Sequence, residues 1–333
     1  MFECAKPLAR ACAIATALVA ALPSAPANAQ PASWKPTKPI EIVVGVSPGG
    51  GIDRTARIVQ KIMQDHHLVA VPVNVVNKPG GGGTIAQAYL TQRMGDAHYF
   101  EVSATSILTN QITGRTASSH RDYTPVVMLY DEYLGFAVAA DSAIKDGRQL
   151  VEAFKNPEAL PIGIATTAGN TNHIAAALLA KAAGVDPRRM KVVVFNSGGE
   201  SMTALLGGHV ALVVTPSANL IPHAQAGRMR ILGVSAPKRL PGALSAAPTW
   251  QEQGVNAIVA NWRPVIGPKG WSAAQIAYWE NVFRKVVESD EWKAEVARNG
   301  GVPHFMTSRE LGSYFDAEHA RFKAVLTDLG LAK

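Results

Sequence analysis

Residues 40–46, IEIVVGV, form a near-continuous apolar run, the pattern of a strand covered on both faces. Over 53–65 the period changes, and Ile58, Val59, Ile62 and Met63 fall on one helical face. VPVNVVN (71–77) predicts a second strand, Gly80 to Gly83 interrupt the chain, and TIAQAYLTQRM predicts a second helix. YFEVSAT (99–105) predicts a third strand running into a Ser/Thr-rich turn. This β-α-β-α-β order implies parallel strands with right-handed crossovers, and so a doubly wound lobe.

Two strand-like runs follow close together, PVVMLYD and LGFAVAA, and the second is expected to cross into another lobe. There the strand, polar turn, helix scheme recurs in PIGIATTAGNTNHIAAALLAKAAG, in KVVVFNSGGESMTALLGG and in VALVVTPSANLIPHAQAG, before the strand MRILGVSA. PKRLPGALSAAP is Pro-rich and reads as a connection, and AIVANWRPVIGP is expected to return to the first lobe. Three helices are predicted to finish the chain, at 272–287, 290–299 and 308–329. On the first of them Tyr278 and Trp279 are expected to pack in the core or between lobes. The predicted architecture is α/β: two doubly wound lobes, the first built from 30–136 and 250–333, the second from 137–249.

The first 29 residues stand outside this pattern. Lys6 and Arg10 precede a short Ala-rich apolar core, and Ala27-Asn28-Ala29 offers a cleavage site. This is the form of a secretory signal peptide, cleaved before Gln30. About 12 apolar residues fall short of the roughly 20 that a membrane span needs. Export to the periplasm as a soluble protein is therefore expected. Both cysteines, Cys4 and Cys12, leave with the signal, so the mature chain would hold no disulfide, thiolate metal site or cysteine nucleophile.

Composition narrows the class. Hydrophobic content of 47% with 17% charge describes a well-buried globular protein. The roughly 300 residues left after cleavage suit two lobes rather than one core. The net charge of +7 drops by one on cleavage, because two basic residues leave with Glu3. The remaining basic residues are scattered, with no basic–aromatic stripe, so a nucleic-acid partner is not expected.

One motif invites an enzymatic reading. Gly45-Val46-Ser47-Pro48-Gly49 spells G-x-S-x-G between a strand and a helix, the serine nucleophile elbow of α/β-hydrolases. In that elbow the N–H after the serine forms half the oxyanion hole, and here Pro48 has none. The motif also follows the first strand rather than a later one. A secreted carboxylic-ester hydrolase using Ser47 is the alternative reading, separable by a serine-reactive probe, and no enzymatic activity is expected. There is no G-x-G-x-x-G or P-loop, no H-E-x-x-H, and His66 and His67 are adjacent and cannot both face one metal. No cofactor or metal is expected.

The turns suggest a binding protein instead. SPGGGID, SATSILTN, ATTAGNTNH and FNSGGES each follow a strand and open a helix. In a parallel sheet such turns gather at the carboxyl ends of the strands, where ligands bind. Glycine lets backbone N–H groups approach an anion, the helix start favours negative charge, and Ser and Thr add neutral donors. That combination suits carboxylates. Asp53 is expected to cap the first helix rather than act as a base.

These same residues carry a resemblance to the solute-binding receptors of tripartite tricarboxylate transporters, the Bug-type periplasmic proteins, over essentially the whole mature chain. PIEIVVGVSPGGGIDRTARIV resembles the family's strand and P-G-G-x-x-D turn. VNKPGGGGTIA resembles its N-x-P-G-x-G-G segment, ATTAGNTNH its turn ending in G-x-x-x-H, and FNSGGESMTALLGGHVALV its Y-x-G-G…L-L-G-G-x-V-D segment. NWRPVIGPKG and YWENVF…EWKAEVARNG look closest to the citrate-like branch. The resemblance implies a type II periplasmic binding fold that closes on a small di- or tricarboxylate, citrate-like or aromatic, and presents it as a monomer to membrane permease subunits.

Carried over, the first lobe's ligand-binding positions are Ser47, Pro48, Gly49, Gly50, Gly51, Ser103, Thr105 and Ser106. The second lobe contributes Thr167, Ala168, Gly169, Asn170, Asn172, His173, Ser197, Gly198 and Thr215. Ser47 replaces a frequent Pro of the family, and Phe195 replaces a frequent Tyr. Thr215 stands where some members carry an Asp that meets a ligand amino group, which points to plain carboxylates rather than amino acids.

Overall fold

In chain order the first eight strands are β1 (Ile40–Val44), β2 (Val73–Asn77), β3 (Tyr99–Val102), β4 (Tyr123–Asp131), β5 (Leu134–Ala139), β6 (Ile162–Ala165), β7 (Val192–Phe195) and β8 (Leu212–Pro216). The last three are β9 (Met229–Val234), β10 (Arg263–Pro268) and β11 (Val302–Met306). The helices are α1 (Gly51–Asp65), α2 (Thr84–Thr91), α3 (Ser106–Ile112), α4 (Gly147–Ala153) and α5 (Thr171–Ala182). They continue with α6 (Gly198–Leu206), α7 (Ser217–Gln225), α8 (Ala273–Glu288), α9 (Asp290–Arg298) and α10 (Ser308–Asp328). This computed structural model describes residues 1–2, 34–195 and 197–333. The signal peptide expected over 1–29 lies outside the described residues apart from Met1 and Phe2.

The strands form two sheets, ordered β11-β4-β10-β3-β1-β2 and β7-β6-β8-β5-β9. In the first, β1 runs parallel to β2 and β3, with Ile40 opposite Val73 and Glu41 opposite Tyr99. In the second, β6 runs parallel to β7 and β8. Both sheets are mixed, because β10 inserts antiparallel between β3 and β4, and β5 lies antiparallel to β8 and β9. The chain passes between sheets after Asp131 and returns before Arg263. The two passages are joined: Tyr133 bridges Ala260, and the Asn261 N–H donates to the Glu132 carbonyl at 2.7 Å.

The continuous apolar runs become central strands, with Ile40, Ile42, Val43, Val44 and Phe136 fully buried. Trp279 is also buried, meets Phe100 edge-on at 4.8 Å, and donates its indole N–H to the Ala97 carbonyl at 2.8 Å. Burying the ring while satisfying its one donor makes it a core anchor. Trp262 and Trp271 are buried as well.

Two elements depart from the sequence reading, the short helix α4, which no periodicity announced, and a strand among the C-terminal helices. The segment expected to be purely helical after β10 contains β11, which pairs with β4 across an irregular register between Pro303 and Met306. Pro303 lacks a ladder donor, which suits the sheet edge where β11 lies.

Candidate ligand-binding site

Because β3, β1 and β2 are parallel neighbours, their following turns lie side by side. Ser47 to Gly50 form a type II turn: the Gly50 N–H donates to the Ser47 carbonyl at 3.4 Å and Gly49 has φ +85°, with Pro48 and Gly49 in the positions that turn favours. Ser47, Pro48 and Gly49 are exposed. The Gly49 N–H is already taken by Asp53 Oδ2 at 2.8 Å. Asp53 therefore serves the start of α1 from inside the helix, while the N-cap position is Gly50. Burial acts to raise the Asp53 pKa, but hydrogen bonds from Arg57, Gly49 and Asn77 outweigh it and hold the carboxyl below its usual range. The N–H groups of Gly51 and Ile52 begin the helix and have no carbonyl four residues back within it.

The neighbouring turns are packed too closely for side chains. A Cβ on Gly45 would lie 2.9 Å from Gly83 Cα, and one on Gly83 would lie 3.5 Å from Ser106 Oγ. Ser103 sits beside them with both donors spent: its hydroxyl donates to Glu101 Oε1 at 2.8 Å and its N–H to the Pro264 carbonyl at 2.9 Å. Glu101 is buried with no counter-cation among the described residues, and that burial pushes its pKa up to about 8.

The second sheet supplies a matching row after β6, β7 and β8. Asn170 caps α5 through its Oδ1, which accepts from the His173 N–H at 3.1 Å, and its amide donates to the Ala165 carbonyl at 2.5 Å. His173 Nδ1 accepts from the Gly169 N–H at 3.1 Å, which leaves the ring proton on Nε2. Burial pushes the His173 pKa down to about 4, so it is a neutral donor at physiological pH. Asn172 is buried, yet its side chain makes no hydrogen bond among the described residues. Ser197 caps α6 by accepting from the Glu200 N–H at 3.2 Å. A Cβ on Gly198 would meet Asn219 Nδ2 at 3.0 Å and Thr215 Oγ1 at 3.4 Å. Asn219 donates to the buried Thr215 hydroxyl at 3.1 Å.

The two rows meet. The hydroxyls of Thr105 and Thr171 are hydrogen-bonded to each other, and each also reaches Asn261 Oδ1, at 3.3 and 3.4 Å. A Cβ on Gly82 would lie 3.3 Å from Thr167 Cγ2, and Arg115 Nη2 donates to the Ala168 carbonyl at 3.4 Å. A Cβ on Gly169 would lie 2.8 Å from Thr113 Cγ2. No hydrogen bond among the described residues joins the Ser47–Gly51 turn to Ser197 or Gly198. Beneath the contact, Asn261 Nδ2 donates to Glu132 Oε2 at 3.3 Å, and Glu132 pairs with Arg263. Arg263 is thus committed inside the protein.

Sequence reading did not single out Thr171, Asn261, Glu132, Gly82 or Asn219. Thr171 lay within a quoted turn, and the Gly80–Gly83 break was a signal for Gly82. Asn261 opens the NWRPVIGPKG segment, and Glu132 carried no signal. For the hydrolase alternative, no histidine or carboxylate among the described residues hydrogen-bonds the exposed Ser47 hydroxyl. The described residues contain no group of three or more His, Cys, Asp or Glu placed to hold a metal.

Two α/β lobes, with opposed rows of turns at the carboxyl ends of their strands and paired connections beneath, define a two-lobed solute-binding protein. Residues 55–331 match the protein family described as the tripartite tricarboxylate transporter family receptor, and the chain belongs to that family. A Cupriavidus necator protein, named "UPF0065 protein in gbd 5'region", is 27% identical over 328 residues, 98% of both chains. The fold matches "R. palustris Rpa4515 with adipate" with TM-score 0.80 and 25% identity, over 89% of this chain and 99% of that one. It also matches "MatC (Rpa3494) from Rhodopseudomonas palustris with bound malate" with TM-score 0.75 and 20% identity, over 87% and 99%. No helix among the described residues is long and apolar enough to cross a membrane.

Proposed function

We propose that this receptor captures a small di- or tricarboxylate, citrate-like or aromatic, between the opposed turns and hands it to the permease subunits of a tripartite transporter. The protein is exported, cleaved before Gln30, and works without chemistry on its ligand. Lobe one is built on the sheet of β1–β4, β10 and β11, and lobe two on the sheet of β5–β9. The observation that carries the reading is the character of the turns: helix-start N–H groups at Gly51 and Ile52, the Ser106 hydroxyl, the free Asn172 amide and the neutral His173 Nε2–H are all uncharged donors. Such a set holds carboxylate oxygens by hydrogen bonding and helix-end partial charge. Arg263, the buried cation nearest the first turn, is neutralised by Glu132. The adipate and malate named with two fold relatives agree with this ligand class. A ligand that binds better between closed lobes than to the open form shifts the protein toward closure.

The test is a melting-temperature screen after unfolding and refolding to strip retained ligand. The panel spans citrate, tricarballylate, malate, succinate, adipate, glutamate, terephthalate and protocatechuate. A concentration-dependent rise with one acid supports the reading, since binding the native state alone raises apparent stability. A flat response from a folded protein to the whole panel overturns it.

A further inference from the structure

We infer that Asn261, oriented by the buried Glu132–Arg263 pair, is a positioning residue that latches the lobes together by collecting the hydroxyls of Thr105 and Thr171. The inference rests on the reading of the protein as a receptor that closes. Thr105 follows β3 in the first lobe, Thr171 opens α5 in the second, and Asn261 lies on the returning connection, so three separate parts of the chain converge on one oxygen.

The polarity of this network is forced. Arg263 is 3% exposed and only donates, and it pairs with the Glu132 carboxylate, which accepts. An acceptor-only carboxylate at 3.3 Å requires the amide nitrogen of Asn261 to face it. The amide oxygen of Asn261 must then face the threonines. Two hydroxyls sharing three oxygens can donate from one threonine to the other and on to Asn261, or singly to Asn261; either way both protons are used. Separating the lobes breaks the Thr105–Thr171 bond and takes Thr171 from the amide oxygen. Thr105 is therefore assigned to closure, acting beside the ligand rather than on it.

The experiment measures lobe separation without any ligand. Spin labels at the exposed positions Ala88 on α2 and Glu152 on α4, with Cys4→Ser and Cys12→Ser, report the distance distribution in the full chain. Thr105→Val and Thr171→Val should each move the open-to-closed ratio toward open by about five-fold, the size of one lost hydrogen bond. The double variant should shift it little further, because the two hydroxyls serve one acceptor. Thr171→Ser, which keeps the hydroxyl, should restore the wild-type distribution, and a single cooperative melting transition in every variant would exclude misfolding. Single variants with the wild-type distribution, or effects that simply add, would overturn the latch. If no panel acid binds the wild type, the carboxylate reading fails while this distance measurement still decides the latch.

Discussion

Replacing Glu101 with glutamine should make the protein more stable at alkaline pH and less stable at acidic pH, with the curves crossing between. Glu101 is 2% exposed; its Oε1 accepts the Ser103 hydroxyl, and its Oε2 has no hydrogen-bond partner among the described residues. Burial raises its pKa from 4.5 to about 8. Between those values the folded protein holds a proton that the unfolded chain has released, so this group's contribution to stability is full below pH 4.5 and is lost as pH rises toward 8. At about 1.4 kcal/mol per pKa unit, the loss is roughly 3 kcal/mol by pH 7 and roughly 5 kcal/mol above pH 8. Glutamine keeps an acceptor for Ser103 and removes the ionisation, but buries an amide with incomplete hydrogen bonding, a cost of about 1–3 kcal/mol. Glu101→Gln is thus expected to gain about 2–4 kcal/mol near pH 8.5 and, with the wild type already down by about 0.8 kcal/mol there, to lose up to about 2 kcal/mol near pH 5. Melting midpoints and urea titrations of both proteins from pH 5 to 9 measure this difference. Parallel curves across that range would show that Glu101 ionises normally in the folded protein and would refute the reasoning.

His173 carries the opposite sign. Its pKa falls to about 4 by burial, so the stability it contributes is complete above its unfolded pKa near 6.5 and is lost as pH falls to 4. Relative to His173→Gln, the wild type should lose roughly 3 kcal/mol over that interval, and its imidazole proton resonances should stay put until pH approaches 4. Gly45→Ala would set a Cβ 2.9 Å from the Gly83 Cα, backbone against backbone. Forcing the turns after β1 and β2 apart should cost about 1–3 kcal/mol, read as a lower melting temperature. An unchanged midpoint would mean that the turns are less tightly packed than they stand here.

The alternation of apolar runs with amphipathic stretches was enough to predict the strands and helices around both sheets apart from α4 and β11, because a strand covered on two faces and a helix covered on one leave different periods in the chain. It also marked the glycine- and hydroxyl-rich turns, since few residues besides glycine suit the positive φ of Gly49 or Gly169. β11 was not visible: five residues holding a proline and a histidine have no strand period of their own, and pairing with β4 decides their conformation. Within the site, periodicity could place Ser103, Asn170 and His173 at the turns but could not say which donors were already spent. Ser103 is consumed by Glu101 and Asn170 by the start of α5, whereas His173 Nε2 and the Asn172 amide are left over. That division depends on neighbours far away in sequence, as does the meeting of Thr105, Thr171, Asn261 and Glu132. Hydrophobic pattern is a local property of the chain. Hydrogen-bond satisfaction and charge pairing are properties of space, and only the packed lobes determine them.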